Sequence, residues 1–82
     1  MTMKLGVKIA QARRRKSLTQ HQLAALCECR VTVISSIENS HSYPREARML
    51  LGIAKVMGIT AGELLDRIDS ERRSRINGGK PG

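Results

Sequence analysis

Apolar residues recur along this chain at three- and four-residue intervals, and nowhere do they alternate as along a half-buried strand. Five helices follow. In residues 3–15, Leu5, Ile9 and Ala12 fall at i, i+4 and i+7 and face inward, with basic residues on the remaining faces. Thr19 has the chemistry of an N-cap and precedes Gln20, His21 and Gln22. It opens a second helix over 20–27, with Leu23, Ala24 and Leu26 on the buried side. Residues 27–30 make a short turn. A third helix over 31–39 turns Ile34 and Ile37 inward, with Val33 at their margin, and ends at Asn39-Ser40. A polar loop over 40–44 closes at Pro44, which disfavours a helical Tyr43.

The fourth helix is predicted over 45–57, its stripe made of Ala47, Leu50, Leu51, Ala54 and Met57. Gly52 inside that stripe costs helix propensity and marks a close contact. Gly58 is a helix-ending glycine. Thr60-Ala61-Gly62-Glu63 reads as a capping box opening a fifth helix, whose apolar side is Leu64, Leu65 and Ile68. Residues 69–76 either extend that helix or fray, and Asn77 to Gly82 reads as a flexible tail.

At 82 residues the chain is long enough for one domain with a modest core. The expected division is a domain over 1–68 and a basic, flexible tail over 69–82. Apolar residues make up 40% of the chain, which favours a globular protein over a disordered one. Tyr43 is the sole aromatic residue, and that argues against single-strand or RNA binding by base stacking.

Charge changes the picture more than composition does. The net charge is +8. Residues 1–16 hold Lys4, Lys8, Arg13, Arg14, Arg15 and Lys16 and no acid, for +6. Residues 17–66 hold four bases and five acids, for −1, and residues 67–82 hold five bases and two acids, for +3. Positive ends around a near-neutral middle suit a polyanion gripped by the ends and read by the middle, although a solvated surface is the plainer account.

Other chemistries fare poorly. Cys27 and Cys29 are too close in sequence to bridge easily, and with His21 and His41 badly spaced they form no zinc site. They read as small semi-buried apolar residues in a reducing cytoplasm. No metal and no cofactor is expected. There is no phosphate-binding glycine loop and no nucleophile beside a base, so no enzyme is expected. No apolar run approaches the roughly 18 residues of a membrane span, and the start of the chain lacks a signal-peptide core. A cytoplasmic, soluble protein is the expectation.

Two short helices joined by a turn of about four residues make a helix-turn-helix unit. The order of residue types sharpens this. Ile9 and Arg13, then Leu18-Thr19-Gln20 and Leu23-Ala24, then Ile34-Ser35, Ile37-Glu38 and Asn39 run without a gap, followed by Pro44, Leu50, Ala54, Gly58-Ile59 and Glu63-Leu64-Leu65. From Leu5 to Leu65 the chain resembles the lambda-repressor-like (Xre/Cro) helix-turn-helix family. Three departures stand out. Glu28 occupies the turn where the family usually has glycine, which implies a left-handed residue. Arg30 replaces the usual small cap of the third helix. The stretch from Pro44 to Ala54 is one residue longer than usual.

The resemblance and docking geometry assign roles. The start of the third helix enters the major groove, so Arg30, Val31, Thr32 and, one turn on, Ser36 are the expected base readers. Arg30 suits a guanine edge or a phosphate; Val31 suits a thymine methyl or has no role beyond a partly exposed apolar surface. Gln20, at the start of the second helix, is placed to hold a phosphate. Asn39 resembles the family's second phosphate contact and also suits a C-cap. Arg14, Arg15 and Lys16 are expected to neutralise phosphates. Arg13 and Glu38 resemble the family's interhelical salt bridge.

The reading is an all-α five-helix bundle that binds double-stranded, pseudo-palindromic operator DNA as a homodimer, with Met57, Ile59, Leu64, Leu65 and Ile68 as the expected dimer interface, the alternative for some of them being the protein's own core. The resemblance implies a repressor, often of its own promoter, in a phage, plasmid or other mobile-element operon. The competing reading is an antitoxin that neutralises a partner toxin, for which a long disordered or apolar arm would be the signature.

Overall fold

The computed structural model describes residues 3–78, with side chains placed through Arg73. The helices are α1 (Leu5–Arg15), α2 (Gln20–Leu26), α3 (Val31–Glu38), α4 (Ala47–Met57) and α5 (Ala61–Gly78). No strand occurs among the described residues, and the all-α, five-helix expectation holds. Each helix contributes one fully enclosed residue to a common core: Ile9, Leu23, Ile34, Ile53 and Leu64 respectively. Residues 79–82 of the expected tail lie outside the described residues.

The helix starts follow local chemistry. The Thr19 hydroxyl accepts the Gln22 N–H at 3.1 Å, and the Gln22 side chain accepts the Thr19 N–H at 2.8 Å, so two orphan donors at the start of α2 are satisfied reciprocally. Thr60 accepts the Glu63 N–H at 3.0 Å, while the Glu63 carboxylate takes the Thr60 hydroxyl at 3.4 Å rather than completing the box on the backbone. α4 starts at Ala47, two residues later than expected, because Glu46 before it is still extended at φ −79° and ψ 146°.

The first four helices end in one way. Just beyond each of these helices one backbone N–H donates back five positions: Leu18 to Arg13, Cys29 to Ala24, His41 to Ser36 and Ile59 to Ala54, at 2.9–3.0 Å. This is the Schellman arrangement, which needs a left-handed residue immediately before that donor. Those residues are Ser17 (φ 56°), Glu28 (φ 53°), Ser40 (φ 64°) and Gly58 (φ 74°). Only the last has a residue type suited to the conformation; each of the other three costs roughly 1 kcal/mol against glycine. Leu18 and Cys29, which follow Ser17 and Glu28, pack against the core, and that apolar contact offsets the local strain there.

The expected stripe of α4 is out of phase. Leu51 is 61% exposed and Ala47 is also exposed, whereas Met49, Ile53 and Val56 are buried beside Leu50 and Ala54. Apolar residues surround this helix on most sides, so periodicity alone does not select a face. Gly52 selects it. A Cβ there would sit 2.8 Å from Cys27 Sγ and 3.2 Å from the Leu26 carbonyl oxygen. The bare backbone at Gly52 thus seats α4 on the end of α2. The same seat encloses Cys27 and leaves Leu26, expected inside, 52% exposed.

Burial pushes the Cys27 thiol up to about 11, with Cys29 adding to the effect. Burial also raises Cys29; Arg48 opposes that and Glu46 reinforces it. Leu65 of the expected fifth-helix face is also turned out, while Leu64 and Ile68 are inside. α5 runs through Gly78, past the boundary expected at residue 68 and through Asn77 of the expected tail.

Glu28→Gly is expected to raise unfolding stability by up to about 1 kcal/mol in urea, since it removes left-handed strain; a loss of stability would show that the Glu28 side chain matters more than its backbone. Gly52→Ala is expected to cost about 1–2 kcal/mol, because overpacking against Cys27 outweighs the gain in helix propensity. A neutral or stabilising result would contradict the close seat.

Candidate nucleic-acid interface

The turn between α2 and α3 fixes the angle of the second helix. α2 closes through Glu28 and Cys29, and Arg30 then takes extended backbone (φ −83°, ψ 150°) as the cap residue of α3. Its side chain makes no capping hydrogen bond. An ordinary serine or threonine would turn its oxygen back onto the helix start. Arg30 instead keeps an exposed guanidinium there. Thr32 is exposed beside it, and Ser36 on the same face is half-buried. Val31 is half-buried and packs against the core, so only part of its side chain is presented outward. Behind this face Ile34 and Ile37 are fully inside, which fixes the rotation of α3 about its axis.

A carboxylate hub carries α3 from behind. Glu38 Oε2 accepts from Arg13 Nε at 2.7 Å, and its Oε1 accepts from Arg13 Nη2 at 3.2 Å and from Gln20 Nε2 at 3.0 Å. Arg13 Nη1 donates to the Leu18 carbonyl at 2.9 Å. One ion pair therefore joins α1, the α1–α2 connection, the start of α2 and the end of α3. The pair is well covered, with side-chain exposures of 11% for Arg13 and 6% for Glu38. Gly6 adds a steric condition: a Cβ there would lie 2.6 Å from the Glu38 carbonyl oxygen and would also strike that of Ile37. Sequence spacing carried no signal for this requirement, nor for the bond from Gln20 to Glu38.

Gln20 is therefore not a loose amide. One N–H is committed to Glu38, which orients the side chain and leaves its carbonyl oxygen and second N–H for another partner. Asn39 is the residue that ends α3, and its side chain donates to Ser35 Oγ at 3.4 Å while remaining exposed. Arg14, Arg15 and Lys16 are all exposed on the last turn of α1 and just beyond it. Cations there also complement the α1 dipole, so they have a structural benefit with or without a ligand.

The expected dimer set needs correction. Leu64 and Ile68 are buried in the protein's own core, at 0% and 4% exposure, and have no surface to offer a second subunit. Met57 and Ile59 are half-buried against the same core. Leu65 is exposed. The spacing in α5 put all three of Leu64, Leu65 and Ile68 on one side, but only Leu64 and Ile68 are enclosed and Leu65 is turned outward.

Glu38→Ala is expected to cost about 3 kcal/mol of stability, since it strands a mostly buried guanidinium and an amide. A loss below about 1 kcal/mol in denaturant titration would mean that the pair behaves as an exposed one.

No helix among the described residues is long and apolar enough to cross a membrane. Among curated proteins, none matches the sequence. A helix-turn-helix family model matches residues 9–64, a span that begins at the enclosed Ile9 and ends at the enclosed Leu64 and takes in Arg13, Gln20, α3 and Glu38. On that match, with the five-helix fold around it, the chain belongs to the Xre/lambda-repressor-like helix-turn-helix family of DNA-binding transcriptional regulators.

Proposed function

We propose that the protein is a sequence-specific repressor that binds operator DNA through α3, as a homodimer on a pseudo-palindromic site. The observation that carries this reading is the start of α3. There Arg30 and Thr32 stand exposed, with the arginine free of capping duty, on a helix whose opposite face is locked into the core. A guanidinium at that place suits the O6 and N7 of a guanine, and the Thr32 methyl suits a thymine. Ser36 extends the reading face by one turn, and Val31 contributes the part of its side chain left outside the core. Gln20, oriented by Glu38, and Asn39 flank the reading helix as phosphate contacts, with Arg14, Arg15 and Lys16 supplying charge beside Gln20.

One copy of α3 spans only a few base pairs, so specificity favours two copies on half-sites about one helical turn apart. Leu65, with the outer parts of Met57 and Ile59, is the apolar surface that the α4–α5 side offers for that pairing. Repression then acts by occluding polymerase, and the promoter of the protein's own gene is the first candidate site, as in mobile-element operons.

Fluorescence anisotropy tests the reading at about physiological salt, comparing the DNA upstream of the protein's own gene with a scrambled duplex of equal length. The upstream DNA is expected to bind about a thousandfold tighter or more. Arg30→Ala and Thr32→Ala are each expected to cost roughly 1–3 kcal/mol on it. Equal, weak binding to both duplexes would overturn the assignment of that promoter as the operator.

A further inference from the structure

The part of α5 beyond the core carries a second contact with consequences for DNA. Glu71 Oε1 accepts the Leu5 N–H at 2.6 Å, and its Oε2 accepts the Tyr43 hydroxyl at 2.6 Å. These partners lie 66 and 28 residues away in sequence. Leu5 is the first residue of α1, which has no acid in its first turn and no capping side chain from Lys4. Glu71 therefore supplies the anionic cap that α1 lacks locally. Tyr43 belongs to the connection that leaves α3. A single carboxylate thus clasps α5 to the start of α1 and to the segment that follows the reading helix.

The clasp determines what α5 presents. Arg72, the next residue, lines a cleft of about 390 Å³ together with His41, Tyr43 and Arg45. Asp69 is the acidic residue on the same cleft. The connection bearing His41 and Arg45 starts at Asn39, where α3 ends. An eight-residue helix is about 12 Å long, and the major groove is about 12 Å wide. A helix whose start reaches base edges therefore brings its far end, and the connection after it, out to the phosphates at the groove's edge.

We propose that the C-terminal part of α5 is a DNA-backbone clamp, in which Arg72 joins Arg45 and His41 on phosphates flanking the half-site and Glu71 is the positioning residue that holds it there. This rests on α3 being the reading helix. The clamp adds affinity on any duplex and no base preference, since phosphate contacts carry no sequence information.

The test is the slope of log affinity against log salt for the full chain on the upstream and scrambled duplexes. Arg72→Gln is expected to make the slope shallower by about 0.9, the loss of one phosphate contact, and to weaken both duplexes by a similar factor. Arg73→Gln, which removes the same charge from an exposed neighbour outside the cleft, is expected to change the slope less. Tyr43→Phe removes one arm of the clasp without changing charge and is expected to lower the slope in the same direction as Arg72→Gln.

An unchanged slope for Arg72→Gln, or an equal drop for Arg73→Gln, overturns the clamp and leaves the proposed function standing. A lowered slope for Arg72→Gln with none for Tyr43→Phe overturns the clasp's part in it. A wild-type protein that binds neither duplex overturns the proposed function and the clamp with it.

Discussion

The Glu38 carboxylate is the point on which the reading surface depends. It sits at the end of α3 and receives Arg13 from α1 and Gln20 from α2. Burying a carboxylate and a guanidinium is expensive unless their remaining hydrogen-bonding positions are filled. Here the Leu18 carbonyl takes the third nitrogen of Arg13 and Gln20 completes Glu38. Satisfied networks of this kind restrict geometry as much as they stabilise it. The tilt of α3 relative to α1 and α2 is set by this hub and by the steric seat at Gly6, and the exposure of Arg30 and Thr32 follows from that tilt.

The chain spends local strain to build short helices that stop sharply. Ser17, Glu28 and Ser40 hold left-handed backbone where glycine would be easier. Each such stop turns the chain within two residues, and after Ser17 and Glu28 the next residue, Leu18 or Cys29, reaches the core. Around the turn of the helix-turn-helix, Glu28 allows Cys29 to pack inward and Arg30 to begin α3 at once. Glu71 acts at longer range: it caps α1 from the other end of the sequence and fastens Tyr43. Hub and clasp bracket the segment from Glu38 to Tyr43, which leaves the reading helix.

Much of the fold was legible because its signals are local. Thr19 and Thr60 mark helix starts, Gly58 marks a stop, and the i, i+4, i+7 spacing of α1 identifies its inner face. The Arg13–Glu38 pair was legible only through family resemblance, as no spacing rule links residues 25 apart. The phase of α4 was not legible, because Met49, Leu50, Leu51, Ile53, Ala54, Val56 and Met57 leave no clear polar side and the choice is made by Gly52 against Cys27. The same limit left Leu64 and Ile68 open between a dimer surface and the core, and they lie in the core. The extent of α5 was undecided because residues 69–76 carry almost no apolar pattern, and what fastens them is one carboxylate meeting two distant donors. In the candidate site, the residue types at the start of α3 were readable, while the orientation of Gln20 by Glu38 came only from tertiary structure.

The most direct test of the account is an amide NMR titration of the protein with the duplex from upstream of its gene, following which backbone signals shift. The account predicts the largest changes at Gln20, at Arg30 to Thr32, at Ser36 and at Asn39, forming one surface, with the enclosed faces of α4 and α5 nearly silent. Changes centred on α4 around Leu51, or spread evenly over the basic residues with α3 undisturbed, would contradict α3 as the reading helix.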